Sequence, residues 1–252
     1  MNSPEHSDAG HRRSRIDLQD MIDSERSEGE PMHLPLFPLN VVLFPGMMLP
    51  LHVFEPRYRE MISHCIETKS PFGVVLIRKG KEVGGFAIPQ DIGTTARIVK
   101  TKREKDGRMN IIAIGARRFK INELDYSRPY LSAHVSEHPI VDEQNQTTAA
   151  LGERLRPKLL EYAELLSTVH DTKMQLSRIP QEPKMLAYML AIALQVSNEE
   201  KQQLLEAESV AQLLRAENKI LNREMLLTRY MLETQSELNA MSSGPTGYIF
   251  SN

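Results

Sequence analysis

Short apolar runs separated by glycine and proline dominate the chain between residues 32 and 139. Such spacing is typical of a small barrel or sandwich. The sequence Lys105-Asp106-Gly107-Arg108 predicts a tight turn that pairs Ala96–Thr101 with Met109–Ala116 in antiparallel fashion. The predicted strands are Leu34–Phe37, Val41–Phe44, Met48–Phe54, Phe72–Ile77, Ile92–Val99, Met109–Ile114, Phe119–Leu124 and Tyr130–Val135.

One helix is predicted to interrupt these strands. Pro56 suits the first helical position, where its missing N–H leaves no bond unmade. The apolar residues that follow recur with helical spacing and form a single stripe, which is expected to face the barrel. They are Tyr58, Met61, Ile62, Cys65 and Ile66. Cys65, the only cysteine, is therefore interpreted as a small core residue.

Helical periodicity replaces the strand pattern from about Thr147, with Pro157 expected to kink the first of these helices. Lys184–Gln195 is apolar on all sides, which predicts a position at the centre of a bundle. Ser197 with Glu200, and Ser209 with Gln212, form capping-box patterns that open two further helices.

The last predicted helix, from about Val210 to Met241, is longer than a small bundle needs. At 1.5 Å per residue, roughly 30 residues give a helix of about 45 Å. Its end is expected either to project and pair with a partner helix or to fray as an ordinary helix end.

Both ends of the chain differ from the rest in composition. Residues 1–31 contain eight acidic and four basic residues, which predicts a disordered tail, with a docking segment as the alternative. Residues 242–252 are predicted to be a flexible tail. No stretch is long and apolar enough to span a membrane, and the net charge is only −2. A single cysteine and the absence of a signal sequence favour a cytoplasmic protein.

Motifs for catalysis and for metal binding are missing. The sequence contains neither G-x-x-x-x-G-K-[ST] nor G-x-S-x-G, and the pair Lys173 and Ser177 has no oxyanion-hole context. His134 and His138 lie in a predicted extended segment, where they are too far apart to chelate one ion. We therefore expect no catalytic residue, no cofactor and no metal.

Several segments together resemble one known family. The run from Leu34-Pro35-Leu36-Phe37-Pro38-Leu39 through Val42-Leu43-Phe44-Pro45-Gly46-Met47 to Pro50-Leu51-His52-Val53-Phe54-Glu55-Pro56-Arg57-Tyr58 is similar to the opening of the Lon protease N-terminal domain. Gly93–Ile98, Gly115–Ile121 and the helical segment Leu186–Leu214 extend the similarity over about Met32–Met231. The resemblance implies an α+β fold, in which a PUA-like β-barrel over 32–139 precedes a helical bundle over 140–241.

The resemblance also implies a function. Lon N-terminal domains recognise protein substrates, so the chain is predicted to be a stand-alone, non-catalytic module that binds client or unfolded polypeptides, with a role in protein quality control. The candidate contact residues are Leu43, Phe44 and Pro45, together with Glu55, Arg57 and Arg59 at the start of the first helix. The last helix is predicted to hold a partner, which could be a protease, a chaperone or a second copy.

An RNA-binding role is the alternative. Gly93–Ile121 has nine basic residues against two acidic ones, and a basic hairpin could follow a phosphate backbone. Only Phe119 is available there for base stacking, which makes nucleic acid the weaker hypothesis. The basic residues are Arg97, Lys100, Lys102, Arg103, Lys105, Arg108, Arg117, Arg118 and Lys120.

Overall fold

The computed structural model describes residues 32–82, 87–142, 145–170 and 179–242. The predicted tail at 1–31 and residues 243–252 of the second predicted tail lie outside this range. The pair Lys173 and Ser177 also lies outside it.

Seven strands and five helices form the described part of the chain, in the predicted order of strands first and helices second. The strands are β1 (Met32–Leu39), β2 (Met48–Val53), β3 (Phe72–Gly80), β4 (Ala87–Pro89), β5 (Ile92–Arg103), β6 (Met109–Asp125) and β7 (Ser132–Glu137). The helices are α1 (Pro56–Thr68), α2 (Gln146–His170), α3 (Pro183–Ala193), α4 (Asn198–Leu205) and α5 (Val210–Ser242). The fold is α+β, as the sequence predicted.

Strand β1 closes the sheet into a barrel because its two halves pair with different neighbours. Met32–Pro35 pairs antiparallel with β7, and Leu36–Leu39 pairs in parallel with β3. The ring β1-β7-β6-β5-β3 is thereby complete. Strand β2 pairs with the first half of β6, and β4 pairs with the end of β3, so both lie outside the ring.

The predicted hairpin is present with a longer loop than a two-residue turn. Ala96 pairs with Gly115 and Thr101 with Ile111, which confirms the antiparallel register. The N–H of Gly107 donates to the carbonyl of Glu104 (3.1 Å), and only Gly107, not Asp106, has a positive φ (86°). Asp106 contributes through its side chain instead, since its carboxylate accepts the N–H of Arg108 (3.1 Å).

One predicted strand is wrong. Val41–Phe44 is irregular backbone that follows β1, and its apolar residues enter the core without joining the sheet. A short apolar run has the same sequence pattern whether it forms a strand or packs into the core as irregular backbone. Gly46, with φ at 81°, completes the turn into β2.

Helix caps follow the sequence patterns closely. Pro56 is the first residue of α1, whose buried face consists of Tyr58, Met61, Ile62 and Cys65. The Ser197 hydroxyl accepts the N–H of Glu200 at the start of α4, and Ser209 accepts that of Gln212 at the start of α5. Pro157 lies inside α2.

The barrel and the bundle share one apolar core. Val42, Phe44 and Leu76 of the barrel belong to the same buried cluster as the inward faces of α2, α3 and α5. The short helix α4 lies at this junction, where the amide of Asn198 donates to the Asn40 carbonyl (2.7 Å) and that of Gln202 to the Ile92 carbonyl (3.1 Å). The two halves of the chain are therefore held together by packing and by hydrogen bonds.

Candidate polypeptide-binding surface

Two of the predicted contact residues are core residues. Phe44 is fully buried between barrel and bundle, and Leu43 is 1% exposed within the barrel cluster. The Leu43 carbonyl also accepts a hydrogen bond from the buried Thr94 hydroxyl (2.5 Å). Neither side chain is accessible to a partner in this structure. Both residues pack in the core and are not contact residues. Pro45 is half-buried.

The three predicted charged residues lie together at the start of α1, and each contacts its own chain. The Glu55 carboxylate pairs with Arg57 (3.0 Å), whose guanidinium lies 4.5 Å from the centre of the Tyr58 ring. Arg59 packs against the hairpin turn, with its Nη1 atom 3.5 Å from the carbonyl oxygen of Asp106. All three residues remain half-buried, so they border the surface beside them.

Strand β2 lies between Pro45 and Glu55. None of its outward-facing residues was among the predicted contact residues. Met48, Pro50, His52 and Phe54 alternate with buried or half-buried neighbours and are all exposed. Met48 is 66% exposed and Phe54 45%. The His52 ring lies 6.0 Å from that of Phe54 and is fixed by a 2.8 Å contact of Nδ1 with Asn110 Oδ1. We call these four residues the β2 face.

Strand β2 is also an edge of the sheet. In the described ranges it pairs with β6 on one side and has no strand partner on the other. Edge strands offer backbone groups to an incoming strand, and natural proteins restrict this with proline and charge. Pro50 has no N–H to offer, and Arg57 and Arg59 lie beyond the end of the strand. The available sequence signal for this surface was the placement of the aliphatic residues Leu49, Leu51 and Val53 at every second position.

The basic hairpin offers less free positive charge than its sequence suggests. Arg108 pairs with Glu104 (3.3 Å) and Asp106 (2.6 Å), and Arg117 pairs with Glu137 (2.7 Å). Arg118 is buried and donates to backbone carbonyls of the bundle. At least three of the nine basic residues therefore have protein partners, which leaves less positive charge for a phosphate backbone and weakens the RNA-binding hypothesis.

A large cavity lies at the opposite end of α1 from the β2 face. Its volume is about 1040 Å³, and β1, β5, β6, β7 and the end of α1 contribute to its wall. Six basic residues and one acidic residue line it, so its electrostatic character is positive. We call it the cationic cavity. It brings Lys69 and Arg128, which are distant in sequence, beside Arg97 and Lys100.

The last helix carries a second exposed apolar surface. Leu226, Leu227, Tyr230, Met231 and Leu238 are all more than half exposed. Helix α2 covers the other side of α5, where Lys158 donates to Asn218 (2.8 Å) and Glu161 pairs with Arg229. The end of α5 thus has one packed side and one open apolar side.

Neither a metal site nor a membrane-spanning helix is found in the described residues. No three His, Cys, Asp or Glu side chains among them are grouped as metal ligands would be. None of the described helices is long and apolar enough to cross a membrane. The ring of His134 packs edge-on against that of His33, at 5.1 Å between centres.

A small closed barrel with an open apolar edge strand, fixed on a helical bundle, is an architecture that suits a protein-binding module. The chain belongs to the ATP-dependent protease La (LON) substrate-binding domain family, whose profile matches residues 33–223. This match confirms the predicted resemblance. It concerns the substrate-binding domain and supports a protein-binding module.

Relatives and solved structures agree with this assignment. The chain is 30% identical over 222 residues to a Lon protease of Anaeromyxobacter dehalogenans and 30% identical over 220 residues to Lon protease 2 of Myxococcus xanthus. Each alignment covers 86% of this chain and 26% of the relative, so the chain spans about a quarter of the length of these curated relatives.

Two solved structures have the same architecture. A Lon N-terminal domain protein from Xanthomonas campestris is 27% identical, with a TM-score of 0.52, over 73% of this chain and 95% of that one. The N-terminal domain of a Mycobacterium avium complex Lon protease, at 20% identity and a TM-score of 0.61, shows the fold alone over 76% and 98% of the two chains.

Proposed function

We propose that the chain binds client polypeptides at the β2 face. The observation that carries the proposal is the exposure of Met48 and Phe54 on a strand whose second edge has no strand partner among the described residues. Exposed apolar surface beside a free strand edge suits an extended, unfolded segment, because backbone groups supply affinity and alternate side chains supply selectivity.

In this proposal each element has a part in binding. A client segment lies along β2 and pairs with its free backbone groups, while its apolar side chains cover Met48 and Phe54. Fully burying side chains of this size contributes about 1.5–3 kcal/mol each. Glu55, Arg57 and Arg59 border the end of the strand, where their charges select against or orient charged client residues. Pro50 limits the number of backbone bonds and so favours reversible binding.

The experiment compares two exposed apolar surfaces of the same barrel. Fluorescence anisotropy measures binding of a labelled, reduced and carboxymethylated polypeptide, which cannot fold, to the wild type and to Met48→Ser/Phe54→Ser. We expect at least a tenfold loss of affinity. Ile88→Ser changes an exposed apolar residue of β4 and serves as the matched control. Equal affinity of the double variant and the wild type would reject the β2 face as the client site.

A partner protein is proposed to bind the open side of α5. Leu226, Leu227, Tyr230 and Met231 form adjacent apolar positions there, and a protease, a chaperone or a second copy could cover them. Crosslinking followed by pulldown compares the wild type with a truncation ending near Met225, which removes all four of these residues. Recovery of the same crosslinked proteins with both chains would remove this end of the helix from the proposal.

The proposed role is recognition without catalysis, in the cytoplasm, within protein quality control. The family match to a substrate-binding domain and the lone buried thiol of Cys65 support it. Incubation of the pure protein with casein and ATP provides the test, for which we expect no cleavage. Robust turnover by the purified chain would overturn the non-catalytic assignment.

A further inference from the structure

The cationic cavity has positive charges that the described part of the chain leaves unneutralised. Lys69 and Lys100 are exposed at its wall, and neither ammonium makes a hydrogen bond or an ion pair with another described residue. By contrast, Arg117 at the same wall is paired with Glu137. Two unpaired lysines beside Arg97 produce a positive potential that favours an acidic occupant.

The wall also provides apolar surface between these charges. Val99 is 43% exposed, and Met32, Ile66 and Ile98 are half-buried around it. An occupant that alternates acidic with apolar residues would therefore match the cavity better than a simple polyanion. Nucleic acid is a poorer match, because Tyr130, an aromatic residue of the wall, is itself buried and has no exposed ring face for stacking.

A segment of this chain has the required composition and the required position. Residues 16–31 contain six acidic residues and a single basic one, Arg26, interspersed with Ile16, Leu18, Met21 and Ile22. The segment is covalently joined to Met32, which lines the cavity. Glu30 and Glu28 precede Met32 by only two and four residues, within about 7–14 Å of extended chain.

We propose that the chain's own segment 16–31 occupies the cationic cavity, with its carboxylates beside Lys69 and Lys100. A short tether raises the effective concentration of such a segment to the millimolar range, so weak individual ion pairs suffice to keep it bound. This inference is independent of client binding at the β2 face, which lies at the other end of α1.

Zero-length carbodiimide crosslinking tests this contact in the full chain, because the reagent joins a carboxylate only to an amine it touches. We expect crosslinks from Asp17–Glu30 to Lys69 and Lys100, and their loss in about 1 M salt, where the screening length falls to about 3 Å. Lys79, an exposed lysine of β3 outside the cavity wall, is the matched control, and we expect no crosslink between it and the segment 16–31.

Crosslinking an equal mixture of ¹⁵N-labelled and unlabelled protein shows whether the segment and the lysine belong to the same copy of the chain or to two different copies. Crosslinks within single copies support the proposal. Crosslinks found only between differently labelled copies, or equal coupling to Lys79, would overturn it.

A competition measurement provides the second readout. In the full chain, all six acidic residues of 16–31 are changed to Asn or Gln, which should vacate the cavity. A labelled peptide of sequence 16–31 is then expected to bind this variant about tenfold more tightly than the wild type, and to lose that affinity when Lys69→Glu and Lys100→Glu are added. Equal binding of the peptide to the wild type and the neutralised variant would contradict the proposal.

Discussion

The guanidinium of Arg118 donates to the Ala207 carbonyl across 2.6 Å and so joins strand β6 to the connection between α4 and α5. The same side chain donates to the Leu205 carbonyl at the end of α4 and to that of His138 (3.1 Å). Cations are favourable at helix C-termini, where carbonyls lack partners within the helix. Burial lowers the pKa of Arg118 somewhat, but the group stays charged near neutral pH.

Removing this guanidinium should loosen the barrel from the bundle. Arg118→Leu removes the donor from three carbonyls, of which those of Leu205 and Ala207 are buried and that of His138 is partly buried, and each buried group left unsatisfied costs about 1–3 kcal/mol. We expect a loss of at least about 3 kcal/mol in the free energy of unfolding, measured by urea denaturation. Arg118→Lys restores the charge with fewer donors and should recover only part of it. An unchanged midpoint for Arg118→Leu would show that the junction is held by apolar packing alone.

Phe44 should behave as a core residue rather than as a contact residue. Phe44→Ala opens a cavity between barrel and bundle and is expected to cost about 3–5 kcal/mol of stability. Phe44→Leu should cost less, because it leaves a smaller void. Thermal unfolding of the three proteins gives the comparison. A Phe44→Ala protein of normal stability that had lost client binding would instead support the original contact assignment.

Gly115 and Gly46 are expected to respond differently to alanine, for distinct physical reasons. A Cβ on Gly115 would lie 2.2 Å from the Phe44 carbonyl oxygen, so the backbone would have to move. A Cβ on Gly46 meets nothing within 4 Å, and the strain there comes only from its φ of 81°. We predict a loss of about 1 kcal/mol for Gly46→Ala, and a larger one for Gly115→Ala, in urea unfolding. Equal losses would be inconsistent with the close approach of Phe44.

Glu217 should make stability fall as pH rises. Its carboxyl group is fully buried in α5, and neither oxygen makes a regular hydrogen bond within the described residues. Burial raises its pKa well above the usual value, and the backbone N–H of Ala191 offsets only part of this rise. The folded protein therefore keeps a proton that the unfolded chain releases above about pH 4.3. The stability this proton provides is complete below that pH and is lost as pH rises towards the folded-state pKa.

The isosteric amide provides the test of Glu217. Glu217→Gln cannot ionise, so its advantage over the wild type should grow between pH 4.5 and pH 8, reaching about 1–3 kcal/mol. Urea unfolding of both proteins across this range measures the difference. A difference that stays constant with pH would mean that Glu217 titrates normally in the fold.

Sequence patterns were most informative where the deciding interactions are local. The Pro56 helix start, the Ser197 cap and the stripe ending at Cys65 each depend on spacing within one element. Val41–Phe44 was misassigned because a short apolar run does not reveal whether a sheet or a core takes it up. The position of the candidate site stays a prediction. Strand β2 lies between the predicted residues Pro45 and Glu55, whereas Leu43 and Phe44 lie inside the core.

Periodicity and capping need only neighbours along the chain, so they predicted the order of strands and helices and the helix caps, while the resemblance of several segments indicated the family. Which of these residues face solvent depends on the folded chain. Strand β2 is an edge with Met48 and Phe54 exposed beside it only because, in the described residues, it pairs with β6 alone, outside the closed ring. Arg118 belongs to a basic hairpin in sequence, but the packing of α4 against the barrel buries it and gives it backbone carbonyls as hydrogen-bond partners. Both outcomes depend on contacts between residues far apart in sequence, which no local pattern encodes.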